Sequence, residues 1–225
     1  MAKANVNEKE TLRSEAVAQT VSKTEQFFNE NKKTLWGLVA AVVVLGLCAL
    51  GYSKLIYQPK CNEAMQQAYQ AEMQFEKGEY ELALKGDGNI AGFEQVIADY
   101  GAKAGKSIYL DAGICALHLG NYEDAVNYIS SYKGKEPILA ARAKALLGDA
   151  YVGLENYDAA VKAYNAAAAA ADNVFAAGYL LKAGSVYEKL GDKAAAKKCY
   201  TTVKESYPQS VEAFDIDKYI ARVEE

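Results

Sequence analysis

The sequence predicts an all-α protein: a single N-terminal transmembrane helix followed by an α-solenoid of stacked helical hairpins. Three observations carry that prediction. Twenty uncharged residues, Thr34 to Ser53, lie between Lys33 and Lys54. Beyond them a helix-turn-helix pattern recurs every 35 to 36 residues. Three prolines, with no long β-branched alternation, leave out the frequent turns that a sandwich or barrel requires.

Composition narrows the chemistry. A chain of 225 residues that is 51% hydrophobic and 24% charged has the apolar material for a packed core. Lys and Arg number 25 against 29 Asp and Glu, a net charge of −4, so the basic field that favours phosphate backbones is missing and nucleic acid is not an expected partner. One histidine, His118, and four cysteines without metal-ligand spacing leave no metal site to expect. No cofactor and no small-molecule substrate are expected either.

The uncharged stretch comes first. At about 1.5 Å per residue it covers the roughly 30 Å hydrocarbon core of a bilayer. Trp36 stands at one end and Tyr52 and Tyr57 at the other, with Val43 midway, so amphipathic rings fall at both headgroup levels. A core helix this apolar all round would need a large domain about it, whereas its flanks are polar. The expected organisation is a cytoplasmic segment 1–33, a transmembrane helix 34–57 and a periplasmic domain 58–225. Orientation rests on Lys23, Lys32 and Lys33 against Lys54 and Lys60, which places the N-terminus in the cytoplasm of a single-pass bacterial inner-membrane protein. The polar stretch before the span is unlike the short basic stub of a cleaved leader, so the helix is expected to stay attached. Leu47 is too large for the residue before a lipidated cysteine, and Cys48 reads as a small hydrophobe in the membrane. Within the tail, Val17, Val21, Thr24 and Phe28 recur at helical spacing, as in an amphipathic helix leading into the span.

The repeats follow. In the clearest copy Leu147, Gly148, Tyr151, Tyr157, Ala160, Tyr164 and Ala167 keep the spacing L-G-x2-Y and then A-x3-Y. Gly184, Tyr187, Gly191, Ala196, Tyr200 and Pro208 repeat it downstream, and Gly113, Gly120, Tyr122, Ala125, Ile129 and Pro137 upstream. The pattern resembles the tetratricopeptide repeat, in which small residues let two helices approach while aromatics fill the gap. Gly148 and Ala160 are expected where the helices of one hairpin cross. Gly120 and Gly191 are expected to end first helices at positive φ, and Pro137 and Pro208 to end second helices. One unit cannot bury its own apolar face, so the units stack: about 62–104, 106–138, 141–174 and 177–210, with a C-terminal helix 211–225.

The first unit is degenerate. Its helical pattern breaks at Gly86, Asp87, Gly88 and Asn89 and resumes at Phe93. Asp87 is the only carboxylate there, too few for calcium, and the glycines match no phosphate-binding fingerprint, so an inserted turn is expected. Cys115 and His118, three apart on one helix face, are the one nucleophile-base pair on offer, and small-residue packing is the simpler role for Cys115. No catalytic residue is assigned. Cys61, Cys115 and Cys199 would meet an oxidising compartment, and their separations do not decide a pairing. Asp215 and Asp217 read as solvated carboxylates on the last helix.

Stacked first helices would line a groove. The candidate partner surface is Tyr109, Leu110, Ile114 and Leu117 from one unit with Arg142, Asp149 and Val152 from the next. Ala145 and Asp149 stand where related repeats that grip a chaperone's terminal carboxylate carry Lys and Asn, so an acidic tail is not the expected ligand. Tyr128, Tyr132 and Tyr179 either line this surface or pack between repeats.

The entry to the span, FFNENKK, with one membrane helix and a C-terminal repeat array, resembles the YfgM family of ancillary subunits of the SecYEG translocon. That resemblance implies a non-enzymatic scaffold or co-chaperone whose partners are a SecYEG-type translocon, a PpiD-type periplasmic chaperone or nascent chains. The alternative is a general repeat adaptor for another envelope complex, in outer-membrane assembly, secretion or division.

Overall fold

The computed structural model describes residues 30–170 and 173–224. The expected lead-in helix through Val17 and Phe28 lies outside them. The chain divides into two compact units, Met1–Gln58 and Pro59–Glu225.

In the first unit, α1 spans Lys32–Tyr52 and buries none of its residues. It is long and apolar enough to cross a bilayer. A π-helical turn, Ser53–Tyr57, follows, closed by the Gln58 N–H donating to the Ser53 carbonyl. Pro59 explains the wider turn: it has no N–H to offer the preceding carbonyls, and a ladder that loses a donor relaxes into a π bulge.

Every regular element among the described residues of the second unit is a helix, and an isolated bridge joins Gly86 and Ala91. In order it holds α2 (Gln58–Glu76), α3 (Tyr80–Lys85), α4 (Phe93–Tyr100), a 3-10 turn (Gly101–Ala104), α5 (Ser107–His118), α6 (Tyr122–Ser131), α7 (Pro137–Gly153), α8 (Tyr157–Ala170), α9 (Val174–Lys189), α10 (Lys193–Ser206), a second 3-10 turn (Val211–Ala213) and α11 (Ile216–Glu224). The expected C-terminal helix is thus a 3-10 turn and a short helix.

One turn recurs four times. Gly78, Gly120 and Gly191 take φ of 81°, 75° and 77°, and Glu155 takes 56° at the equivalent place. In each, the left-handed residue and the one after it bond back to the first helix: Gly120 N–H to Leu117 O at 3.1 Å and Asn121 N–H to Ala116 O at 2.9 Å, Glu155 to Val152 at 3.0 Å and Asn156 to Tyr151 at 2.8 Å. These are Schellman closures, which satisfy the last carbonyls of a helix. The next helix then starts at once, capped at Ala159 by Asn156 and at Ala195 by Asp192.

Small residues carry the close approach inside each hairpin. The side-chain positions of Gly113, Gly148 and Gly184 are filled by Ile129, Tyr164 and Tyr200 respectively, each sixteen residues later. Ala125, Ala160 and Ala196 are fully buried on the partner helices. Pro137 corrects an expectation. The second helix of its unit has already stopped at Ser131, and Pro137 instead opens α7 in its first turn, where a missing N–H leaves nothing unpaired.

The inserted segment of the first repeat is a braced turn. Asp87 Oδ1 accepts from the N–H groups of Asn89 and Ile90, both at 2.9 Å, and these bonds hold its carboxyl below the usual carboxylate range. Among the described residues no cluster of His, Cys, Asp and Glu could hold a metal ion.

The array ends on α11, whose Ile216 and Val223 pack with Tyr200 and Val203. Arg222 reaches back with two bonds to Glu188, at 2.8 and 2.6 Å, and Glu188 also accepts from the Tyr200 hydroxyl. Asp217 pairs with Lys204 at 2.7 Å.

Candidate functional site

Adjacent first helices build the site. On α5, Asp111, Ile114 and His118 recur at i, i+3 and i+7 and share a face; on α7, Arg142, Leu146 and Asp149 do so at i, i+4 and i+7. Ile114, Leu117 and Asp149, all candidates from sequence, come together with His118, Leu146 and Tyr122 around an open cavity of about 270 Å³.

The other candidates fall elsewhere. Leu110 is 5% exposed and belongs to the core. Tyr109 packs partly buried against that core and Val152 against the next cluster. Arg142 is exposed at the groove's far end. Of the remaining tyrosines, Tyr128 donates to Glu94 at 3.3 Å, Tyr132 lies partly buried against the core, and Tyr179 packs partly buried against the cluster that holds Tyr164 and Val186. Leu146 escaped the sequence reading although its spacing from Arg142 and Asp149 puts it on their face. Tyr122 escaped because it opens α6, the second helix of the same hairpin, whereas the groove was read from first helices alone.

Asp149 has its partners within the chain. It accepts from the Tyr164 hydroxyl at 2.6 Å and from Lys182 of α9 at 2.7 and 2.9 Å. Burial, then the bond to Asp149, pushes the Tyr164 hydroxyl well above its ordinary pKa, so it remains a donor. Asp111 differs. Burial and the nearby Glu72 raise its carboxyl to about 6, against a smaller opposing pull from Arg142.

Cys115 and His118 sit in different surroundings. Cys115 is fully buried, and burial with the Asp111 charge pushes its thiol up to about 12, the wrong direction for a nucleophile. The His118 ring stacks on Tyr80, centroids 3.9 Å apart and planes 5° from parallel. All four cysteines are free. On α1, Trp36, Val43 and Tyr52 are exposed.

Two segments match the tetratricopeptide repeat family model, residues 141–173 and 179–210. No curated protein sequence matches the chain. Among solved structures the chain is similar to a crystal structure of MamA protein, with TM-score 0.56 and 19% identity over 73% of this chain and 82% of that one. A second crystal structure of MamA aligns with TM-score 0.52 and 20% identity over 68% and 91%. At these identities the likeness is one of fold. The helices α7 to α10 are therefore tetratricopeptide repeats, and the described residues form an all-α fold with further helical hairpins N-terminal to them, an architecture that serves as a protein-protein interaction scaffold.

Proposed function

We propose that the chain is a membrane-tethered, non-enzymatic scaffold or co-chaperone that holds a protein partner in the groove between α5 and α7. It does so beside a Sec-type translocon, with a PpiD-type chaperone or an emerging chain as the partner. The observation that carries this reading is the convergence of Ile114, Leu117, Tyr122 and Leu146, from three helices of two hairpins, on one open and largely apolar cavity. Such a junction between rigid elements suits a partner's apolar side chain, with few polar groups to fix its direction. The unburied, apolar α1 supports anchoring in the bilayer, and the FFNENKK entry supports the translocon. In this reading residues 1–33 are cytoplasmic and the repeats periplasmic. The buried, poorly acidic Cys115 thiol supports a role without catalysis.

Photocrosslinking in intact membranes tests it, with a photoreactive residue at Ile114 and another at Val43. Translocon subunits captured at Val43, with a periplasmic chaperone or nascent chain at Ile114, are the expected result. Capture of a different envelope complex at both positions would keep the scaffold and replace the translocon with another machine. An empty groove beside a productive Val43 would sink the groove reading.

A further inference from the structure

The groove has an anionic end with an unused carboxylate. Asp111 is half-buried on the face that carries Ile114 into the cavity. Among the described residues no hydrogen bond or ion pair reaches its carboxylate. The charges acting on it are Glu72 from α2, of like sign, and Arg142 from α7. Its raised pKa has the same cause: a negative charge held partly out of water beside another, with one cation too distant to pair. The opposite end of the groove lacks this feature, because Lys182 and Tyr164 already occupy Asp149. Between Pro59 and Ala140 acidic side chains outnumber basic ones, so the wider field has the same sign.

We propose that the α5–α7 groove selects an extended partner segment in which a lysine or arginine neighbours an apolar residue. The cation is received by Asp111 and Glu72, and the apolar side chain by the cavity at Ile114, Leu117 and Leu146. This inference rests on the groove reading above and adds the chemistry of its ligand. A cation at Asp111 relieves the repulsion from Glu72 and supplies the missing partner, so affinity and direction come from one contact. A carboxylate at the same place meets two like charges, which selects against acidic segments.

The test uses the full-length chain in detergent and three fluorescently labelled decapeptides of one Gly-Ser background, with Lys-Leu-Phe, Glu-Leu-Phe or Lys-Ser-Ser at the centre. Fluorescence anisotropy is expected to rank Lys-Leu-Phe first, about tenfold tighter than either of the others. Asp111→Asn and, separately, the exposed Glu72→Gln should each shrink the preference for Lys over Glu, while thermal melts show both variants folded. Equal binding of Lys-Leu-Phe and Glu-Leu-Phe, or a preference untouched in both variants, would overturn the cation subsite and leave the groove standing. If none of the three peptides binds, both the subsite and the groove reading fall.

Discussion

The ring of Tyr164 occupies the space where Gly148 has no side chain: a Cβ at Gly148 would lie 2.5 Å from Tyr164 Cε1. The same ring carries its hydroxyl to Asp149, the residue after that glycine. One aromatic therefore closes the hairpin by packing and orients a carboxylate that ties α7 to Lys182 of α9.

Gly148→Leu should drive the ring out and lower stability by about 3 kcal/mol, as over-packing of a dense core does. Circular-dichroism melts of the variant would check this. Adding Tyr164→Ala should recover part of the loss, because the two changes share one volume. A melting curve unchanged by Gly148→Leu would contradict the packing described here.

Glu155 holds a backbone conformation that its three counterparts assign to glycine. The left-handed region costs a non-glycine residue about 1 kcal/mol, and Glu155 makes no side-chain bond that would offset it among the described residues. Glu155→Gly should accordingly stabilise the protein by about 1 kcal/mol, read from denaturant midpoints. Gly191→Ala should do the opposite by a similar amount.

Asp111 gives stability a pH dependence with a defined sign. Its folded pKa, about 6, lies above the ordinary aspartate value of 3.8, so between the two the folded state binds more protons and stability falls as pH rises. Below 3.8 the penalty is absent, and above about 6 it is complete. Asp111→Asn removes it. Since the side chain is partly solvated, the gain should be about 1 kcal/mol at pH 8 and nothing near pH 4, measured as the difference between the two proteins' melts at each pH. A constant offset across that range would count against this assignment.

The bond pair between Arg222 and Glu188 fastens the terminal helix to α9. Burial opposes ionisation of Glu188, but bonds from Arg222 and Tyr200 prevail and hold its carboxyl below the usual range. A double-mutant cycle with Arg222→Ala and Glu188→Ala should return about 1 kcal/mol of coupling, above an ordinary surface pair because two parallel bonds meet a carboxylate that is 22% exposed. Hydrogen exchange of α11 should rise in Arg222→Ala before that of α7.

Much of this was legible in the chain itself, and the physical reason is locality. The uncharged run from Thr34, the hairpin period and the glycine turns at Gly120 and Gly191 are written within a few turns of helix, where spacing alone decides which side chains share a face. Pro137 shows the limit of such local signs, since proline marks a helix end and a helix start equally well. Other features depend on residues far along the chain. Leu110 faces a core rather than a groove because the neighbouring helices cover it, and Asp149 is occupied because Lys182, 33 residues later, lands beside it. Leu146 joins Ile114 only once two hairpins stack. The sequence by itself determined the hairpins, their turns and the apolar span. Tertiary packing decided which carboxylate is paired, which is left open, and where the cavity lies, because each of those depends on what the next repeat brings into contact.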